Sequence, residues 1–186
     1  MSRRLFVSVD LPPALSDAVA AAQDTLPDAD SLRFTDPAQA HVTLTFLGDT
    51  EPDRVDAVTD AVERAVADAD TGPFSVTVGG LGAFPSHEYI SVLWTGVEEG
   101  ASSLERLHEA VERETTALGF DAAYHDYTPH VTLARMDDAR GKAAVRETLR
   151  EADPTVGTFT AEEVRLKEST LDETGPTYET VASVDL

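Results

Sequence analysis

Apolar and polar residues alternate through RLFVSVD (4–10), the period-two signature of a strand with one buried face. The pattern then changes to helical spacing in PPALSDAVAAAQDTL (12–26), where Leu15, Val19, Ala22 and Leu26 share one side behind a proline start. SLRFT (31–35) and AHVTLTFLG (40–48) predict two strands, and Val55, Val58, Val62 and Val66 predict a helix over 53–69. TGP ends that helix, and FSVTVGGLGAF (74–84) and YISVLWTGV (89–97) predict a further strand pair. The glycines of GGLGAF have strand-like sequence on both sides and so mark a bend or bulge rather than a phosphate loop.

The second half follows the same plan. Ser102 and Glu105 have capping-box spacing, and Leu104, Leu107, Val111 and Leu118 form the apolar side of a helix that stops at Gly119. His108 falls on the solvated side of that helix in this reading. GFDAAY (119–124) and PHVTLAR (129–135) are expected to be strands, KAAVRETLREA (142–152) a helix, and TFTAEEVRLKEST (158–170) and PTYETVASVDL (176–186) closing strands. A helix with two strands, repeated twice in each half, predicts an α+β fold of two similar lobes. No linker or low-complexity stretch interrupts it, so residues 1–186 are expected to form a single two-lobed domain.

Composition narrows the setting. No apolar run is long enough to cross a bilayer, and an aspartate and two prolines end the short apolar run of the N-terminus where a signal peptide would be cleaved. Without cysteine there is no disulfide, thiolate nucleophile or zinc-thiolate site, and a cytoplasmic location is expected. The formal charge of −21 accompanies apolar periodicity along the whole chain, which argues against a disordered acidic segment. A surface adapted to concentrated salt is expected instead, because the Debye length falls to about 3 Å near 1 M salt and relieves self-repulsion. Loss of compactness on dialysis into dilute buffer, followed by circular dichroism, is the expected outcome; full stability there would remove the idea.

The tetrapeptide HVTL occurs twice, at 41–44 and 130–133. In a strand His41 and Thr43 share one face while Val42 and Leu44 share the other, and His130 and Thr132 repeat the arrangement. Two lobes related by a two-fold axis would bring the pairs together across a cleft. Histidine titrates near neutrality, so one copy can act as base and the other as acid, as in-line displacement at phosphorus requires, with the threonines donating to the non-bridging oxygens. There is no H-E-x-x-H, no His/Cys cluster, no G-x-x-x-x-G-K-[ST] and no K-x-D-G, so neither a metal nor ATP is expected.

Paired H-x-T motifs, one per half, resemble those of the two-histidine phosphoesterase superfamily, and within it the RNA 2′,3′-cyclic phosphodiesterases, also called 2′-5′ RNA ligases. The similarity extends over RLFVSVDLP, AHVTLTFLGD, GGLGAFPS before VLWTGV, LHEAVERETTALGF, YTPHVTLAR and LKESTLDETGPTYE. SLRFTDPAQAH departs from relatives that carry a tryptophan there. The resemblance implies antiparallel sheets lining a central cleft with helices outside, no cofactor, and hydrolysis of a terminal 2′,3′-cyclic phosphate on RNA to a 2′-phosphate. It implies His41 as general acid, His130 as base, and Thr43 and Thr132 on the phosphate. Phe46 and Arg135 would lie near base and phosphate, although strict alternation from the histidines turns them to the opposite face unless a bulge intervenes. Arg135 also has an independent argument, since an anionic ligand entering so acidic a protein needs a local cation. The expected partner is an RNA end bearing a cyclic phosphate, with tRNA halves among the candidates, and the expected state is a monomer. A small cyclic nucleotide as substrate, and a non-catalytic module binding nucleotides or RNA ends, remain open alternatives.

Overall fold

The computed structural model describes residues 1–186, and most of the alternating stretches form strands of one strongly curled sheet. The elements in chain order are β1 (Arg3–Asp10), α1 (Ser16–Asp24), β2 (Leu32–Phe34), β3 (His41–Thr50), α2 (Val55–Ala69), β4 (Phe74–Pro85), β5 (Ile90–Glu99), α3 (Ala101–Ala117), β6 (His130–Met136), α4 (Lys142–Glu151), β7 (Thr155–Ala161), β8 (Glu163–Asp172) and β9 (Gly175–Asp185). The strand order is β7-β4-β5-β6-β3-β1-β8-β9, every pairing is antiparallel, and β2 adds to the free part of the β6 edge.

Two four-stranded halves meet between β3 and β6, where a single residue pair, Val42 with Val131, joins them. Each half combines strands from both halves of the sequence: β3 and β1 pair onward to β8 and β9, and β6 and β5 to β4 and β7. The duplication seen in the sequence is therefore present with its strands exchanged. Glu162 alone separates β7 from β8, so TFTAEEVRLKEST is cut into two strands that serve opposite halves. Helices α2 and α3 pack together, with α3 on β3, while α1 rests on β6 and β7 and α4 on β4.

Val42, Leu44, Val131 and Leu133 are at most 2% exposed and belong to one apolar cluster that also takes in Val58 and Val62 of α2, Leu104 and Val111 of α3 and Val145 of α4. Each such side chain contributes about 1.5–3 kcal/mol by leaving water, which anchors the motif strands by their helix-facing residues.

Two local expectations are corrected, and a third, the bulge at GGLGAF, is met. Residues 119–124 form no strand: Asp121 to His125 are exposed, and Phe120 is held under the Arg54 guanidinium. Helix α3 is capped at Gly100, in the left-handed region, without the Ser102 and Glu105 exchange. GGLGAF stays within β4 as a bulged segment, with Gly80 at φ +77° and Gly82 lying flat against the Trp94 indole, where a Cβ would collide. No helix is long and apolar enough to cross a membrane.

Candidate active site

The seam pair determines what faces the concave side. Val42 and Val131 are fully buried, so their neighbours His41, Thr43, His130 and Thr132 all point the other way and are half-buried. Extending an antiparallel register one residue from that pair sets His41 beside Thr132 and Thr43 beside His130.

Each motif strand then bulges at its leucine. On β3 the partners of Ser8 and Val7 are Thr43 and Thr45, with Leu44 skipped; on β6 the partners of Trp94 and Leu93 are Thr132 and Ala134, with Leu133 skipped. One extra residue reverses the alternation, so Leu44 and Thr45, like Leu133 and Ala134, are both buried, and Phe46 and Arg135 turn to the histidine face. Phe46 is 71% exposed, and its ring lies 6.1 Å from Phe6, which itself packs 5.2 Å from His41. The Arg135 side chain is exposed and has no ion pair or hydrogen bond within the chain.

Bulging frees backbone carbonyls, and side chains from outside the sheet take them up. The Tyr127 hydroxyl donates to Thr43 O at 2.9 Å, and His108 Nδ1 donates to Leu44 O at 2.6 Å. In the other half the Thr35 hydroxyl lies 2.9 Å from Thr132 O and 3.1 Å from Leu133 O, and Gln23 Nε2 donates to Leu133 O at 3.0 Å. His108, expected from the sequence to be solvated, is instead buried, stacked on Tyr127 with ring centroids 4.1 Å apart. Leaving such a buried carbonyl without a donor costs about 1–3 kcal/mol, so these four side chains fix the bulges and, through them, the aim of Phe46 and Arg135.

Both histidines are tethered alike. His41 Nδ1 donates to Gln39 O at 2.8 Å and His130 Nδ1 to Thr128 O at 2.7 Å; a carbonyl can only accept, so the proton sits on Nδ1 and the neutral ring offers Nε2 as base. No protein group hydrogen-bonds to either Nε2. Aromatic walls hold the rings: Phe6 and Tyr178 around His41, the latter edge-on at 5.2 Å, and Phe84 and Trp94 around His130, at 4.8 and 5.9 Å.

The charges around them differ. Burial pushes both imidazoles below the ordinary histidine value, against the upward pull of the carbonyl each one meets. His41 also feels Asp10, its cross-strand neighbour on β1, which favours the protonated ring, with Lys167 and His130 opposing; at His130 the Arg135 guanidinium disfavours protonation and no carboxylate offsets it. Burial alone would raise the Asp10 carboxyl, but Lys167 Nζ at 2.6 Å and the Ser8 hydroxyl at 2.8 Å hold it below the usual carboxylate range, and Arg165 adds a contact at 3.0 Å. Lys167 is 6% exposed and lies 5.9 Å from the Tyr178 ring centroid. No group of three or more histidine, cysteine or acidic side chains is gathered as a metal site would require.

The sequence reading missed Asp10, Lys167, Tyr178, Gln23 and His108. Two of them carried a signal: Gln23 falls between Val19 and Leu26, and His108 between Leu104 and Val111, at the spacing of the apolar helix face.

Residues 11–173 match the model of the 2′-5′ RNA ligase superfamily. A protein of Methanothermobacter thermautotrophicus named RNA 2′,3′-cyclic phosphodiesterase is 35% identical over 182 residues, covering 96% of each chain. One of the same name from Aeropyrum pernix is 38% identical over 146 residues, 77% of this chain and 80% of the relative. Among solved structures, TT0787 of Thermus thermophilus superposes with a TM-score of 0.79 at 25% identity, covering 98% of this chain and 97% of that one. E. coli LigT complexed with 3′-AMP gives 0.80 at 19% identity over 100% and 99%, a likeness of fold.

Proposed function

Because the chain belongs to the 2′-5′ RNA ligase superfamily, we propose that it is an RNA 2′,3′-cyclic phosphodiesterase whose acid and base are His41 and His130. The observation that carries this reading is the pairing of two tethered imidazoles, each with a free Nε2, on one face of the seam. His130 Nε2 takes a proton from water as its oxygen bonds to phosphorus. The P–O3′ bond breaks on the far side, and His41 Nε2–H delivers a proton to the departing O3′, leaving a 2′-phosphate. The Asp10 carboxylate, against Lys167, favours the protonated form of His41, whereas the Arg135 guanidinium favours the neutral form of His130, a difference that supports these roles. Thr43 and Thr132 donate to the non-bridging oxygens. With an RNA 5′-hydroxyl in place of water, the same displacement joins O5′ to the 2′-phosphate and gives a 2′-5′ linkage.

One apolar cluster running through both halves supports treating residues 1–186 as a single two-lobed domain. A monomer in the cytoplasm acting on RNA ends, tRNA halves among them, belongs to the same proposal.

The test is hydrolysis of an oligoribonucleotide with a 2′,3′-cyclic phosphate, in molar KCl with EDTA. A 2′-phosphate product is expected, and a 3′-phosphate product or loss of turnover with chelator would overturn the mechanism. Since burial depresses both imidazoles, the bell-shaped profile of kcat/KM is expected to peak below the unperturbed histidine value of about 6.5. The same depression makes the folded state bind fewer protons than the unfolded chain. Stability from these two rings is therefore present above about pH 6.5 and lost as pH falls through the folded values, which a melting series across that range would show.

A further inference from the structure

We propose that Arg33 and Arg135 together bind the phosphodiester that precedes the terminal cyclic nucleotide, so that the protein selects RNA ends over mononucleotide cyclic phosphates. This rests on the reading that His41 and His130 open the cyclic phosphate.

Strand β2 lies along β6 with Leu32 opposite Met136 and Arg33 opposite Arg135. Leu32 and Met136 are both 8% exposed and face the helices, so the two arginines project together from the concave face, the side of His130. Like charges directly opposite on neighbouring strands repel. In a chain with 35 acidic residues against 14 basic ones, such a pair stands out, because carboxylates that could neutralise it are plentiful.

Neutralisation is incomplete. Asp137 takes only the Nε of Arg33, at 2.9 and 2.8 Å to its two oxygens, and leaves both Nη groups without a partner. This contact fixes the direction of the guanidinium while its outer edge stays open. The Arg135 guanidinium has no partner at all within the chain, yet lies close enough to His130 for its charge to disfavour protonation there. Two open forks side by side, one strand spacing apart at about 4.8 Å, suit an anion with several oxygens in one place, and a phosphodiester is such a group. One phosphate of the substrate is already engaged at the seam, so the anion offered to the arginines is the next along the chain, which a mononucleotide lacks.

The experiment compares adenosine 2′,3′-cyclic phosphate with a triadenylate ending in the same cyclic phosphate, for wild type and Arg33→Gln, across a KCl series. Arg33 is exposed at the surface, so the variant is expected to fold, and circular dichroism checks this. A wild-type preference for the trinucleotide in kcat/KM is expected, reduced about fivefold or more in Arg33→Gln through KM, with the salt slope on the trinucleotide smaller by about 0.7. A trinucleotide with an uncharged methylphosphonate at the linkage that precedes the terminal nucleotide should reproduce the effect on wild type. Equal use of both substrates by wild type, or a preference that survives the substitution, would overturn the subsite while leaving the chemistry standing. Failure of wild type to open either cyclic phosphate would instead overturn the proposed function itself.

Discussion

Replacing His130 or His41 with alanine is expected to lower kcat for cyclic phosphate hydrolysis by about 10²- to 10⁴-fold in each case, with KM changed far less. Both rings are held by carbonyls from behind and by aromatic walls at the sides, so in the proposed mechanism their free Nε2 atoms transfer protons and contribute little to holding the substrate. The double variant is expected to lose less than the product of the two factors, because displacement with neither proton handled is already slow after the first deletion. The residual pH dependence separates the roles. His130→Ala removes the rise on the acidic side, which belongs to the base, and His41→Ala removes the fall on the alkaline side, which belongs to the acid. Loss of the same limb in both variants would overturn the assignment, and retention of wild-type kcat in either would remove that residue from the chemistry.

Lys167→Met is expected to destabilise the protein by about 3 kcal/mol and to shift the alkaline limb of the activity profile upward. Lys167 and Asp10 are enclosed between β1, β8 and the Tyr178 ring, and removing the ammonium leaves a buried carboxylate supported by Arg165 and Ser8 alone. The ammonium also opposes protonation of His41, so its removal favours the imidazolium. Asp10→Asn is expected to move the limb the opposite way, because the carboxylate is the anion that favours the protonated ring. Combining the two substitutions should restore most of the stability, since the pair leaves together and no charge is stranded. Chemical melts and pH profiles of the three variants check both readings. Limbs that shift in the same direction for Lys167→Met and Asp10→Asn would sink the electrostatic account, even if the stabilities behaved as expected.

The repeated HVTL was legible because strand alternation is a local property: a period of two places His and Thr on one face whatever the rest of the chain does. The requirement for a bulge before Phe46 and Arg135 was legible for the same reason. The identity of the pairing strands was not. Nothing in RLFVSVD says that its neighbour is EVRLKEST, because any amphipathic strand of suitable length satisfies the same pattern, and the choice is made by packing across the whole sheet. Asp10 stands opposite His41 through the β1–β3 pairing, and Lys167 and Tyr178 join it only through β8 and β9, so none of the three was legible as a neighbour of His41. Residues 119–124 failed as a strand for the converse reason: the pattern suits one, but the segment pairs with no strand of the sheet and runs exposed from α3 towards β6.

Exchange of strands between the halves also sets the order in which the protein can be finished during synthesis. Strand β1 leaves the ribosome before the other eight, yet its outer neighbour β8 emerges after all of them but β9; the Arg3 to Glu168 contact closes a separation of 165 residues. The half around His130 is complete once β7 has appeared, whereas the half around His41 waits for the final two strands, which bring Lys167 and Tyr178. Until then the nascent chain carries one furnished histidine and one bare one, so the site awaits the emergence of β9 before both rings have their neighbours.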